Sequence, residues 1–179
     1  EILWKNSSKN KKMKEISKHE SMRGYFVYEL YRQMEQNPDI ILLTADLGYG
    51  MFDQIKQDFP DKFISCGASE ITMLGMAVGM TMESKIPVCY SITSFLLYRG
   101  FEVIRNYING EEWPVILVGG GRDRDYLHDG PSHWAEEDRQ IMAIFSNIDS
   151  YWPNTKEEIG ELLGQVINSG KSSYINLKR

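Results

Sequence analysis

Several patterns that identify common protein classes are missing from this sequence of 179 residues. Its two cysteines, Cys66 and Cys89, and its three histidines lack the spacing of a metal site, so we expect free thiols. No nucleophilic triad is recognisable. The run Gly119-Gly120-Gly121 lacks the GxGxxG pattern, and no P-loop lysine is present. A Rossmann dehydrogenase or a P-loop NTPase is therefore poorly supported.

Positive charge is not in excess either. The sequence has 20 Lys and Arg against 25 Asp and Glu, a net charge of -5, which argues against nucleic-acid binding. Its one basic run lies in a polar stretch, so we predict a solvated N-terminal arm at 1–20 and one domain at 21–179. No apolar run approaches the roughly 20 residues of a membrane span, and no secretory signal is visible. We therefore expect a cytoplasmic protein without membrane contact.

Helix and strand patterns alternate along the rest of the chain. The run 40–44 is continuously apolar, as in buried parallel strands, and the segment 22–36 places apolar residues at helical spacing. The predicted strands are 40–44, 63–65, 87–92, 113–118, 150–152 and 173–177. The predicted helices are 22–36, 52–59, 70–80, 94–109, 136–145 and 154–167. This order predicts an α/β fold, a three-layer sandwich with a mostly parallel central sheet.

Ionisable residues follow the strands of this predicted sheet, where ligands bind in such folds. Asp46 follows the first strand, Glu70 the second, and Asp129 and His133 lie in the loop after the fourth. These four residues are expected at one edge of the sheet. They are the candidate chemical groups of the chain.

Three aromatic residues after the third strand are spaced by three, at Phe95, Tyr98 and Phe101. In an α-helix this spacing predicts one stripe. Packing in the core is the default interpretation. A wall that stacks on a flat heterocycle is the alternative, because the ionisable groups lie nearby.

The segment 67–80 predicts a tight turn that opens into a largely apolar, mostly buried helix. Glu70 lies in the first turn, where it is either solvated or held in a dry site. Gly75 and Gly79 lie one turn apart and each cost roughly 1 kcal/mol relative to alanine, which indicates a close packing partner.

These motifs, in this order, resemble the pyrimidine-binding domain of thiamine-diphosphate enzymes of the transketolase group. The resemblance extends from about Arg23 to Arg179. It rests on five short motifs, Ala45-Asp46-Leu47, Gly67-Ala68-Ser69-Glu70, Met73-Leu74-Gly75-Met76-Ala77-Val78-Gly79, Ser94-Phe95-Leu96-Leu97-Tyr98-Arg99 and Asp129-Gly130-Pro131-Ser132-His133, with Glu137-Asp138 after the last.

The resemblance implies a role for each candidate at the cofactor. Glu70 corresponds to the glutamate that hydrogen-bonds N1′ of the aminopyrimidine and thereby promotes loss of the thiazolium C2 proton. Such a carboxyl works best when it is removed from water. Phe95, Tyr98 and Phe101 correspond to the aromatic pocket around the pyrimidine ring. Asp46 resembles an aspartate near the thiazolium.

The resemblance also implies a sugar site. Asp129 and His133 match residues that contact the hydroxyls of a ketose donor, and His133 is also a candidate proton shuttle. Arg23 and Arg179 match arginines that hold a sugar phosphate, a task suited to guanidinium. The implied activity is transfer of a two-carbon ketol unit between sugars or phosphosugars.

Several positions depart from the family pattern. Ile71 stands where a glutamine is expected after Glu70, and Gly50 stands where a small hydroxyl residue is expected. A histidine expected early in the loop before Asp129 is replaced by Gly121 or Arg122. These departures concern the acceptor and phosphate side of the pocket.

The Gly-Asp-Gly motif that holds the diphosphate and Mg²⁺ in this group is absent from the sequence. We therefore expect a split enzyme, active only with a diphosphate-binding partner subunit that binds Mg²⁺. Heterotetramers would form where two Glu70 helices meet through Gly75 and Gly79. The alternatives are a subunit resembling deoxyxylulose-phosphate synthase, a pyruvate-using enzyme and a catalytically silent scaffold homologue.

Overall fold

The computed structural model describes residues 21–47 and 50–179. In these residues six strands form one sheet in which every neighbouring pair is parallel, with the order β2-β1-β3-β4-β6-β5. The predicted α/β fold is confirmed, and the sheet is wholly parallel. The predicted arm at 1–20 lies outside the described residues. The strands are β1 (Ile40–Thr44), β2 (Phe63–Ser65), β3 (Ile86–Ile92), β4 (Ile116–Gly120), β5 (Asp149–Tyr151) and β6 (Ser173–Leu177).

Helices cover both faces of the sheet. Side chains of α1, α2 and α6 pack on one face, and those of α3 and of the segment after β3 pack on the other. None of the helices in the described part of the chain is long and apolar enough to cross a bilayer. The α-helices are α1 (Met22–Gln36), α2 (Asp53–Asp58), α3 (Glu70–Met82), α4 (Phe101–Val103), α5 (Asp138–Met142) and α6 (Glu158–Ser169).

Several predicted elements have different bounds, and two of them flank the loop after β4. The strand predicted at 113–118 begins at Ile116 and continues through Gly119 and Gly120, so these glycines are buried strand residues rather than a turn. The helix predicted at 136–145 is reduced to the five residues of α5. Pro114 explains the first difference in part, since proline has no N–H to donate to a neighbouring strand.

The helix predicted at 94–109 is not a regular α-helix. Two π-helical segments, Phe95–Arg99 and Ile104–Asn109, flank the short α4. A π turn has more residues than an α turn, so a spacing of three does not keep side chains on one face. The prediction of a single aromatic stripe is therefore wrong.

The outer face of α3 is exposed. Ile71, Met76 and Met82 are 57%, 38% and 55% exposed, and a Cβ added at Gly75 or Gly79 would meet no atom within 4 Å. The expectation that this helix is buried around most of its circumference is wrong for the single chain. The face is apolar and nearly flat, because both glycines lie on it.

Candidate active site

Glu70 is the first residue of α3, directly after a turn at the end of β2. Gly67 takes φ 65°, a conformation that favours glycine, and the Ser69 N–H donates to the Gly67 carbonyl at 2.8 Å. The turn places the Glu70 side chain in the protein interior, where it is 1% exposed. The solvated alternative for this residue is therefore wrong. Ser69 precedes α3 but does not cap it, since its hydroxyl bonds Thr72 instead.

Two side chains satisfy the Glu70 carboxylate. The hydroxyl of Ser91, near the end of β3, donates to Oε1 at 3.1 Å. The Nη1 of Arg99 donates to Oε2 at 3.0 Å and to Oε1 at 3.2 Å. This pairing explains how a carboxylate is accommodated in a buried position. Arg99 itself is 47% exposed at its side chain, so the pair joins the interior to the surface.

The guanidinium of Arg99 also covers an aromatic ring. Its Cζ lies 3.8 Å from the ring centroid of Phe95, a cation–π distance. The other neighbour of Phe95 is His133, whose ring is 4.8 Å away in an edge-on arrangement. A flat, hydrogen-bonding group therefore already lies against both Glu70 and Phe95.

Tyr126 continues this series of contacts toward the predicted phosphate arginines. Its ring is 5.9 Å from that of His133, and its hydroxyl accepts a hydrogen bond from Arg23 Nη1 at 3.0 Å. The Arg179 guanidinium lies 5.0 Å from the Tyr126 centroid. Glu70, Phe95, His133, Arg23 and Arg179 thus belong to one connected cluster.

The other predicted site residues lie at its margin or elsewhere. Asp129 is exposed in a short turn of the same loop as His133, and Tyr98 is exposed and hydrogen-bonds Glu137. Phe101 packs on Phe145 in the core, with ring centroids 5.5 Å apart. Asp46, at φ 52°, lines a cleft of about 200 Å³ at the ends of β1 and β2 that does not include Glu70.

A buried polar network supports the loop that carries these residues. Asp138, 2% exposed, accepts hydrogen bonds from the side chains of Trp152, Tyr174 and Asn176. Arg122 is also buried and donates to the side-chain and backbone oxygens of Asn176, each at 2.7 Å. Its guanidinium therefore points inward and does not replace the histidine expected there.

Three residues that contact the cluster received no role from the sequence. They are Ser91, Arg99 and Tyr126. The position of Ser91 near the end of β3 could have indicated it, since ligands bind at the carboxyl ends of the strands in such sheets. Nothing local indicated Arg99 or Tyr126, because their partners are 29 and 103 residues away.

No group of three or more His, Cys, Asp or Glu side chains within 21–47 and 50–179 is arranged to hold a metal ion. Cys66 and Cys89 are free thiols, and burial raises the pKa of both. The chemically distinctive features of the described residues are thus the buried acid and its aromatic and cationic surroundings.

Known proteins are similar to this chain in sequence and in fold. Residues 19–179 match the family described as "Transketolase, pyrimidine binding domain". The 1-deoxy-D-xylulose-5-phosphate synthase of Dehalococcoides mccartyi is 30% identical over 157 residues, 86% of this chain and 24% of that protein. A putative transketolase C-terminal section of Methanocaldococcus jannaschii is 29% identical over 157 residues, 87% of this chain and 49% of that protein.

A solved structure titled as a split gene transketolase, an inactive beta4 tetramer, superposes with a TM-score of 0.81 at 26% identity, covering 90% of this chain and 52% of that one. The chain thus spans between a quarter and about half of the length of these proteins. The family match covers nearly all of the chain, and the superposition agrees with its sheet. This chain belongs to the family of transketolase pyrimidine-binding domains.

Proposed function

We propose that this chain is the pyrimidine-binding subunit of a split transketolase-like enzyme that transfers a two-carbon ketol unit between sugars or phosphosugars. The observation that carries the proposal is Glu70, a carboxylate 1% exposed that pairs with Arg99, whose guanidinium lies over the ring of Phe95. Its two hydrogen-bond donors, Ser91 and Arg99, hold its oxygens in place. A buried acid next to an aromatic face suits a flat, basic heterocycle.

Thiamine diphosphate is the proposed cofactor, and when bound it would supply an acidic thiazolium C2–H and the carbanion chemistry of ketol transfer. Glu70 would hold a proton at the pyrimidine N1′, and Phe95 would lie against the ring. Tyr98 and Phe101 would contribute to the aromatic surroundings of the ring, and Asp46 would lie on the thiazolium side. Arg99 now covers both Glu70 and Phe95, so its guanidinium must withdraw when the ring enters.

The sugar site is proposed next to His133, the other neighbour of the Phe95 ring. Asp129 and His133 bind donor hydroxyls, and His133 also moves a proton at the reacting oxygen. The Ser132 hydroxyl lies 3.0 Å from His133 Nδ1, which helps to fix the imidazole. Arg23 and Arg179 bind the phosphate. Their contacts with Tyr126 support a shared position for these two arginines.

We propose that a partner subunit with the Gly-Asp-Gly and Asn residues holds the diphosphate and Mg²⁺, which binds hard oxygen ligands. The relatives described as a transketolase section and as a split gene enzyme support this division. Copies of this chain would meet through the outer face of α3, by analogy with the tetramer named for the split gene structure. A cytoplasmic location is part of the proposal.

The identity to 1-deoxy-D-xylulose-5-phosphate synthase favours one second candidate, a ketol condensation that uses pyruvate. The two candidates share Glu70 and differ in the donor. Screening the assembled complex with ketose phosphates or pyruvate as donor, and aldose phosphates as acceptor, separates them. A complex that binds cofactor but converts neither donor would indicate the silent scaffold homologue.

Purified alone, this chain should show no measurable heat with thiamine diphosphate and Mg²⁺, because its proposed site contacts only the pyrimidine half. Addition of the Gly-Asp-Gly chain should restore saturable binding. Calorimetry of each chain and of the mixture tests this. Tight Mg²⁺-dependent binding by this chain alone would contradict the divided site.

Replacing Arg179 by alanine should weaken phosphorylated sugars by about tenfold, the value of one charge-assisted contact, and leave unphosphorylated sugars nearly unchanged. KM values for matched pairs of sugars test this in the complex. Lys178→Ala, an exposed cation one residue away, is the control. Equal losses for both kinds of sugar would reject a phosphate role.

A further inference from the structure

The glycine run after β4 has a clear structural reason. A Cβ at Gly119 would collide with Thr93, one at Gly120 with the Tyr90 hydroxyl, and one at Gly121 with the Tyr126 ring. Gly121 also takes φ 94°, which favours glycine. The three glycines therefore make room for side chains that cross the end of the strand. Of these side chains, Tyr126 contacts His133, Arg23 and Arg179 of the candidate site.

Tyr126 contacts both predicted phosphate arginines, one through its hydroxyl and the other through its ring. Its hydroxyl oxygen accepts from Arg23 Nη1, which leaves its own proton free to donate, and its ring lies against the Arg179 guanidinium. The Asp125 carboxylate accepts from the backbone N–H groups of Arg122 and Arg179 at 2.9 and 2.8 Å. These bonds fix the loop that carries Tyr126 to the chain segment that carries Arg179.

The Asp125 carboxylate in this corner contacts the backbone N–H of Arg179 rather than a guanidinium. Within 21–47 and 50–179, neither Arg23 nor Arg179 forms a salt bridge with one, and Arg23 Nε is buried without a hydrogen-bond partner. Tyr90 lies near Arg23, and burial raises the Tyr90 pKa to about 12, so this phenol stays neutral near pH 7. A buried donor without a partner, on one of two arginines that contact the same tyrosine, indicates a site for an anion.

We propose that Tyr126 is a specificity-determining residue, which occupies the space over Gly121 and presents Arg23, Arg179 and its own hydroxyl to a terminal tetrahedral oxyanion of the sugar. It stands in for the histidine expected at Gly121 or Arg122, because Arg122 is turned into the interior. The inference deepens the proposed function and rests on it. Phosphate and sulfonate are both terminal tetrahedral oxyanions of this kind.

The first test is Tyr126→Phe in the assembled, cofactor-loaded complex, with D-ribose 5-phosphate and D-ribose as acceptor probes. Phenylalanine keeps the ring over Gly121 and removes only the hydroxyl. KM for D-ribose 5-phosphate should rise about tenfold or more, as expected for a hydrogen bond to a charged group. kcat, and kcat/KM for D-ribose, should stay unchanged. Tyr107→Phe, a 44% exposed tyrosine outside the cluster, is the control.

The second test is a pair of glycine variants with similar backbone strain. Gly121→Ala and Gly170→Ala both place alanine at positive φ, 94° and 64°, but only the first directs a Cβ into Tyr126. Gly121→Ala should show the same selective loss for the phosphorylated acceptor, and Gly170→Ala should not. Repeating the assay with an aldose that carries a terminal sulfonate tells which of the two oxyanions is preferred.

Exchange of the cofactor C2 proton, which needs no sugar, separates the two proposals. Suppose that the wild-type complex exchanges this proton and that Tyr126→Phe changes the kinetic constants for D-ribose 5-phosphate and for D-ribose by the same factor. The inference is then overturned, and the proposed function stands. If the wild-type complex shows neither exchange nor transfer, the proposed function fails. Calorimetric binding of D-ribose 5-phosphate then decides the inference: weakening by Tyr126→Phe upholds it, and unchanged binding overturns it.

Discussion

Replacing Glu70 by glutamine should slow exchange of the cofactor C2 proton in the assembled complex by about 10²- to 10⁴-fold, the usual contribution of a general acid or base. Glutamine has nearly the same shape, and its carbonyl can still accept from Ser91 or Arg99. Its amide has no carboxyl proton to share with a ring nitrogen. The exchange rate at saturating thiamine diphosphate, followed by NMR in D₂O, measures the loss.

The surroundings of Glu70 make this substitution informative. The residue is buried, so water does not readily replace its carboxyl group. Its donors Ser91 and Arg99 both hydrogen-bond the carboxylate oxygens. Cofactor affinity should fall less than exchange, because one hydrogen bond to a charged group contributes only about 1.5–3 kcal/mol. Measuring affinity beside exchange therefore separates cofactor binding from proton transfer.

Glu29→Gln is a closely matched control. Glu29 is also buried and pairs with an arginine, Arg32, at 3.2 Å, and the two arginines are 48% and 47% exposed at their side chains. It belongs to α1, on the opposite face of the sheet from α3. Glu29→Gln should leave proton exchange as it is in the wild type. Unchanged exchange in Glu70→Gln would remove Glu70 from its proposed role.

The fold was largely accessible from the sequence because its signals are local. The apolar run 40–44 and the helical spacing in 22–36 correspond to β1 and α1 at the predicted residues. The segment 94–109 was mispredicted as one α-helix, because apolar spacing does not distinguish an α turn from a π turn. Phe101 consequently lies in the core, while Phe95 faces His133.

The site was accessible only where a residue type and a strand end coincide. Glu70 and His133 could be placed in this way, since the carboxyl ends of parallel strands share one edge. Arg99 and Tyr126 could not, because their importance lies in contacts that only the folded chain creates. The burial of Glu70 also depended on tertiary structure, since a first-turn glutamate is usually solvated.

Replacing Gly79 by glutamine should have opposite effects on the stability of the single chain and on its self-association. A Cβ at this position meets no atom within 4 Å, so the side chain fits the isolated subunit. Glycine costs roughly 1 kcal/mol in a helix interior relative to good helix formers, so the melting temperature should rise by about 2–4 °C.

Association should weaken because the flat strip on α3 is lost. A two-fold contact places the new side chain in the interface twice, and overpacking costs about 1–3 kcal/mol each time, so affinity should fall about 30-fold or more. Sedimentation velocity over a concentration series measures this. Glu161→Gln, on the exposed side of α6, should not change association.

The two readouts together identify the cause of any change. A variant that melts higher and dissociates has lost an interface, whereas one that melts lower has lost its fold. Wild-type association in a stable Gly79→Gln chain would show that α3 is not the contact. Because Glu70 begins the same helix, loss of the contact should also impair cofactor activation in the complex, which links assembly of the subunits to the buried acid.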